Sequence, residues 1–141
     1  LPGVAQGNLT LLNTKADRFA PFVRRVGTRV FQNLIIAQRR QLAANEILAA
    51  RSAVVVRATL DRSGRLKDLS VDDRSGSLAV DQVLLDACRV AAFDDNPPVS
   101  AADEKGNFVF LFVAELRAGV AEGPRGPILT TIESRLRVGL L

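Results

Sequence analysis

The chain has 141 residues, 48% of them hydrophobic, which is enough for one compact core, and it carries a net charge of +4. Histidine is absent and cysteine occurs once, which excludes Ser-His-Asp catalysis, an ordinary zinc site and an intrachain disulfide. These absences, together with the lack of a phosphate-binding or dinucleotide-binding glycine motif, predict no enzyme and no cofactor. No run of about 18 apolar residues is present, so we also expect no membrane span.

A long amphipathic helix is predicted after a leader of residues 1–16. From 17 to 48, apolar residues recur at steps of three and four, and either Thr14 or Asp17 is a suitable cap. Residues 15–42 carry seven positive charges and one negative charge. We expect this basic side to be the solvated face of a helix that packs on the core, and contact with anionic lipid is the alternative.

The segment from 53 to 73 is predicted to form a β-hairpin. Its two halves are apolar or alternating, and they flank the turn sequence Asp61 to Gly64. If those four residues form the loop, Arg57 lies opposite Asp68, and the apolar residues of both strands share one face. Slipping the register by one residue would bring apolar side chains opposite polar ones.

A second helix at 78–92 and a third strand at 107–117 complete a β-β-α-β order. The helix has an apolar stripe and ends before Pro97, which cannot donate a backbone hydrogen bond. The strand is apolar on both faces. Phe110 and Phe112 lie on the same face of it and are expected in the core.

The sequence after this strand divides into two parts. Residues 118–127 are rich in glycine and proline and are predicted to form a linker. For the tail, 128–141, a short helix is favoured because Thr130 and Glu133 form a candidate capping box. A strand is the alternative, because apolar residues alternate from 136 to 140.

The remaining reactive side chains are expected to be structural. Cys88 lies on a flank of the second helix, where a small buried apolar residue is the simplest interpretation. Three acidic pairs fall in predicted turns without the spacing of a calcium loop, and we expect solvated turn residues there: Asp72-Asp73, Asp94-Asp95 and Asp103-Glu104.

The order of these elements resembles the carboxy-terminal domain of the TonB family of energy transducers. The resemblance covers about half of the chain and includes residues that punctuate the elements. They are the strand from Val55 to Leu60, the turn from Asp61 to Gly64, Ser70-Val71, Ser75-Gly76, Leu78, Asp81 to Arg89, Ala92-Phe93 and Pro97-Pro98. The chain departs from the family in having no Tyr-Pro shortly before the first strand, and it has Arg51-Ser52-Ala53 where the family has a glycine.

The resemblance implies a periplasmic domain of a protein that is anchored in the inner membrane by a segment upstream of Leu1. Such a domain couples inner-membrane proton-motive force to an outer-membrane TonB-dependent transporter. The family binds a peptide near the transporter's amino terminus as a strand added to the domain's last strand. The upstream segment would reach an inner-membrane motor complex of the ExbB/ExbD type.

From the order of elements we expect an α+β fold with a small three-stranded antiparallel sheet and the long amino-terminal helix packed on it. The third strand is expected to be outermost, which leaves backbone groups that an extended peptide can pair with. The predicted partner-binding edge consists of alternate residues: Asn107, Val109, Leu111, Val113, Glu115 and Arg117.

Two other classes of function compete with this interpretation. The first is a structural or assembly module of a bacterial envelope machine, such as a secretion or motility ring, that packs against copies of itself, for example as a homodimer. The second is a KH-like or RRM-like nucleic-acid binder, which only the basic balance suggests. The chain lacks a Gly-x-x-Gly loop in the right place and sheet aromatics with basic neighbours, so we expect no nucleic acid.

Overall fold

The computed structural model describes residues 8–141, so the first seven residues of the predicted leader lie outside it. The described part contains four α-helices, one 3₁₀-turn and five strands. In chain order they are β1 (Leu9–Leu11), α1 (Thr14–Arg18), α2 (Ala20–Gln41), α3 (Ala44–Leu48), β2 (Val54–Leu60), β3 (Leu66–Asp73), α4 (Leu78–Ala91), the 3₁₀-turn (Val99–Ala101), β4 (Phe108–Gly123) and β5 (Gly126–Leu140).

The five strands form one mixed sheet in the order β1-β5-β4-β2-β3. β1 runs parallel to β5, and the other neighbours are antiparallel. The predicted three-stranded antiparallel sheet is therefore wrong. Its supposed outermost strand is β4, which lies in the middle of the sheet between β5 and β2.

The β4–β5 hairpin explains why the prediction failed. The stretch 118–127, predicted as a linker, contains the end of β4, the turn and the start of β5, and the tail is a strand. Pairing continues to Gly123 opposite Gly126. Gly126 has a φ of +114°, a conformation that glycine adopts easily and that closes the short turn through Pro124 and Arg125.

The predicted helix at 17–48 is divided into α1, α2 and α3. The side chain of Asn13 caps α1, and Pro21 occupies the first turn of α2, where its missing N–H removes no helical hydrogen bond. A short break then precedes α3. There the Glu46 carboxylate accepts a hydrogen bond from the Ala43 backbone N–H at 2.8 Å.

The helices and one face of the sheet share a single core. In it, the Phe22 ring of α2 packs edge-on against Phe108 and Phe110, with ring centroids 5.5 and 5.3 Å apart. Phe110 and Phe112 are fully buried, which confirms that part of the prediction. The alternate residues of β4, such as Leu111, do not belong to this core. They lie on the opposite face, which the helices leave uncovered.

The β2–β3 hairpin has the predicted faces but not the predicted register. Arg57 lies opposite Ser70, and Asp68 lies opposite Thr59, so the predicted Arg57–Asp68 pairing is wrong by two positions. The Arg57 guanidinium instead forms an ion pair with Asp72 at 2.9 Å. Because a shift of two positions returns every side chain to the same face, the apolar face survives.

The turn of this hairpin accounts for the difference in register. One carboxylate oxygen of Asp61 accepts hydrogen bonds from the Ser63 N–H, the Ser63 hydroxyl and the Arg65 N–H. The turn therefore extends to Arg65, one residue further than predicted. These bonds, above all the one from the Ser63 hydroxyl, lower the pKa of Asp61.

Candidate partner-binding surfaces

The structure places the predicted partner-binding residues on a face of the sheet and not at its edge. Residues Val109 to Arg117 belong to β4, and Asn107 directly precedes that strand. β2 pairs with β4 up to Ala114, and β5 pairs with it from Phe110 onward, so the strand has no free side from 110 to 114. The predicted edge position is wrong, whereas contact of these side chains with a partner stays a prediction.

The true edges of the sheet differ in character. β3, at one end, carries exposed charged residues, including Lys67 and Asp68, and such residues discourage the pairing of another strand. At the other end, β1 pairs with β5 only opposite Leu136–Val138. Within residues 8–141, no strand pairs with the outer side of β5 from 126 to 135.

Two hydrogen bonds show which backbone groups of β5 point outward. The Leu136 N–H donates to the Asn8 carbonyl at 3.0 Å, and the Val138 carbonyl accepts from the Leu12 N–H at 2.8 Å. Since backbone groups alternate in direction along a strand, those of Ser134 and Ile132 also point outward. These groups are suitably oriented to pair with an added strand.

A groove of about 710 Å³ lies beside this open edge, between β5 and α2. Its charged lining residues are Arg39 and Glu133. Its apolar lining residues come from α2, from the position just after it and from β5, and they are Phe31, Ile35, Leu42, Leu129 and Ile132. Deeper in the groove, the Ser134 hydroxyl donates to the Gln38 side-chain oxygen at 2.7 Å, and both side chains are buried. The groove can therefore accept apolar side chains of an extended peptide while β5 pairs with its backbone.

The uncovered face of the sheet is a second candidate surface. The strand registers place five residues in one row across β1, β5, β4, β2 and β3: Thr10, Arg137, Val113, Val55 and Asp73. The row is basic on the β5 side, apolar in the centre and acidic on the β3 side. Solvated faces of antiparallel sheets are usually polar, so the apolar centre is a departure from that pattern.

Part of the basic side of the amino-terminal helix is used within the molecule. Arg25 donates hydrogen bonds of 3.1 and 2.9 Å to the two carboxylate oxygens of Asp94, and Arg29 lies 3.8 Å from the same group. The Arg29 guanidinium also covers the Phe93 ring at 4.1 Å. Asp94 is only 4% exposed, so its prediction as a solvated turn residue is wrong.

Two motifs of the family resemblance have a structural role. The buried carboxylate of Asp81 accepts a hydrogen bond from the Ser75 N–H at 3.0 Å, and Gly76, between Ser75 and Ser77, has a φ of +101°. The Ser77 hydroxyl then caps α4 by accepting from the Val80 N–H. These residues stabilise the start of α4, and they line neither of the two candidate surfaces described above.

The reactive side chains of interest are the Cys88 thiol and the potential metal ligands. Cys88 lies in the core, as predicted, and its burial raises the pKa of the thiol to about 12. In the part of the chain that the structure describes, no three potential metal ligands come together. The phenylalanines of β4 are buried under α2, which disfavours the RRM-like alternative because such a sheet stacks bases on exposed aromatic rings.

No family model, no curated protein and no solved structure matches the chain significantly. The resemblance to the TonB family therefore stays a prediction from the order of the elements and their punctuating residues. None of the helices within 8–141 combines the length and the hydropathy needed to cross a bilayer.

Proposed function

We propose that this chain is the periplasmic, peptide-binding domain of a TonB-type energy transducer. It binds the amino-terminal segment of an outer-membrane transporter as a strand added to the outer side of β5. The observation that carries the proposal is the outer side of β5 over 126–135, with which no strand within residues 8–141 pairs, directly beside the groove against α2. In the family that the sequence resembles, the last strand of the domain receives the peptide, and β5 is the last of the five strands within residues 8–141.

The magnitudes indicate what the peptide must contain. Four backbone hydrogen bonds to the outer side of β5 would contribute about 2 to 6 kcal/mol in total. Loss of translational and rotational freedom costs about 4 to 15 kcal/mol, so backbone pairing alone gives weak binding. A specific ligand therefore has apolar side chains at alternate positions that fill the groove beside Phe31, Ile35 and Ile132.

Ile132 offers a matched pair of variants to test the added strand. Its N–H points outward, so Ile132→Pro removes a donor for the peptide without removing a bond between β4 and β5. Ile132→Ala loses the same side chain but keeps the donor. Titration with peptides from the amino-terminal segments of outer-membrane transporters should show binding to the parent, weaker binding to Ile132→Ala and none to Ile132→Pro.

Amide hydrogen exchange provides an independent measurement. A bound strand should slow exchange at Ile132 and Ser134, whose amides point outward, and leave the inward amide of Glu133 unchanged. Circular dichroism and thermal melting must first establish that each variant is folded. Equal binding by the two Ile132 variants would rule out strand addition here, and failure of the parent to bind any such peptide would overturn the transducer function.

A further inference from the structure

The uncovered face of the sheet has a charge pattern that is complementary to itself. We infer that this face binds a second copy of the chain, in a dimer whose two-fold axis runs parallel to the strands, between β4 and β2. The inference goes beyond peptide binding and does not depend on it, because the peptide edge lies at 126–135.

The row of residues across the sheet defines the geometry of the dimer. Arg137, Val113, Val55 and Asp73 lie on four adjacent strands in this order, with neighbouring strands about 4.8 Å apart. A two-fold rotation about an axis midway between Val113 and Val55 reverses this order. Arg137 then lies over the partner's Asp73, and Val113 lies over the partner's Val55.

The two charged residues at the ends of this row are available for such a contact. Arg137 and Asp73 are exposed, and neither side chain makes a hydrogen bond or an ion pair with any residue from 8 to 141. Their neighbours are already engaged: Arg57 pairs with Asp72 at 2.9 Å, and Arg135 pairs with Glu133 at 3.1 Å. Two opposite charges thus remain at matching positions.

The apolar centre supplies the attraction that charges alone do not. On this face Val55, Val109 and Leu111 are partly exposed, whereas Val113 is only 7% exposed. None of these side chains belongs to the core under the helices. Two aligned sheets packed face to face lie about 10 Å apart and bury such side chains between them. An axis perpendicular to the strands would instead place β5 over the partner's β5 and bring arginines together, which disfavours that arrangement.

Charge reversal in analytical ultracentrifugation tests the dimer. The full chain should sediment as a concentration-dependent monomer–dimer equilibrium. Because Arg137→Glu and Asp73→Arg each place like charges opposite one another, each should raise the dimer dissociation constant at least about tenfold. The variant that carries both substitutions should dimerise nearly as tightly as the parent, since the opposite charges again face each other.

Two substitutions outside the face control for the change in net charge. Arg125→Glu in the hairpin turn and Glu104→Arg in the loop before β4 are exposed and should leave the dissociation constant unchanged. Melting temperatures establish that every variant is folded. A parent that stays monomeric at the highest soluble concentration would overturn the inference, and so would a double variant that dimerises no better than the single variants.

Discussion

Arg25 and Asp94 lie 69 positions apart in the sequence and are joined by two hydrogen bonds of 3.1 and 2.9 Å. The bond to Asp94 raises the pKa of the Arg25 guanidinium, as expected for a cation beside a carboxylate. The backbone N–H of Asp94 also donates to the Gly64 carbonyl at 3.0 Å. The loop after α4 therefore connects α2 with the turn of the β2–β3 hairpin.

Removal of the arginine from this pair should destabilise the fold. The side chain of Arg25 is half exposed, so we expect Arg25→Ala to lower the free energy of unfolding by about 1 to 2 kcal/mol and not by the larger loss of a fully buried pair. Arg24 is an exposed neighbour whose side chain makes no such bonds within residues 8–141. Arg24→Ala should therefore change the free energy of unfolding by less than about 0.5 kcal/mol. Urea denaturation of both variants measures the difference, and equal losses would contradict it.

A side chain at Gly64 should destabilise the turn of the β2–β3 hairpin. Its φ is +87°, and a β-carbon there would overlap the carbonyl oxygen of Asp94. Gly126, with a φ of +114° and open space around it, is the matched control. In both alanine variants, backbone strain should lower the free energy of unfolding by about 1 to 3 kcal/mol. Gly64→Ala should lower it by at least about 1 kcal/mol more, because the loop that contains Asp94 must move. Thermal denaturation that ranks them in the opposite order would exclude this contact.

The core depends on the phenylalanine face of β4. Phe112 is fully buried and stacks on Phe110 with ring centroids 5.7 Å apart, so Phe112→Ala should cost about 3 to 5 kcal/mol. Val109→Ala shortens a side chain on the uncovered face of the same strand and should cost about 1 kcal/mol or less. Equilibrium unfolding in guanidinium chloride compares the two, and similar midpoints would mean that the faces are wrongly assigned.

The stability of the domain should decrease in acid partly through its turns. The hydrogen bonds to Asp61 lower its pKa in the folded state, and the Asn107 N–H has the same effect on Asp103. A lowered folded pKa stabilises the fold above the unfolded value of about 3.9, and this stabilisation is lost as the pH falls through the folded pKa.

Asp61→Asn should therefore weaken the dependence of unfolding free energy on pH between about 5 and 2. Asp95→Asn changes an exposed carboxylate that makes no hydrogen bond within 8–141 and serves as the control. Denaturant titrations at several pH values give the two slopes. If Asp61→Asn and the parent had the same slope, the turn would not hold the carboxylate as described.

Cys88 should react with thiol reagents only through unfolding. Its complete burial and a pKa of about 12 leave almost no accessible thiolate at neutral pH. The rate of modification by a disulfide reagent should therefore follow the opening of the core and rise in the destabilised Phe112→Ala variant. Rapid reaction of the native parent would show that the site opens locally.

The sequence predicts well what depends on local periodicity. The alternation in β2 and β3 determined their faces, because any even shift of register preserves them. The register of β2 against β3 was not predicted correctly, because three donors bind one oxygen of Asp61 and extend the turn by a residue. The break before α2 was not predicted, although Pro21 indicated a later helix start.

The parts that sequence reasoning missed are decided by distant partners. The apolar residues of β5 between Ile128 and Leu140 fit both a helix and a strand, and only the long pairing with β4 selects the strand. The glycines between 119 and 126 bend and close this hairpin, whereas the same composition is typical of a linker. With β5 misassigned, β4 was placed at an edge, and the predicted site moved with it. β1, with three residues, is too short for any periodic signal.

The pairing of β1 with β5 determines the order in which the chain can fold during synthesis. Asn13, which caps α1, also donates to the Leu140 carbonyl at 2.8 Å, so this part of the fold is held by a residue that is synthesised 127 positions later. The β2–β3 hairpin and α4 can form earlier from local contacts. Until β5 emerges, β4 is apolar on both faces and has one unpaired edge, and in that interval the nascent chain is most prone to aggregate.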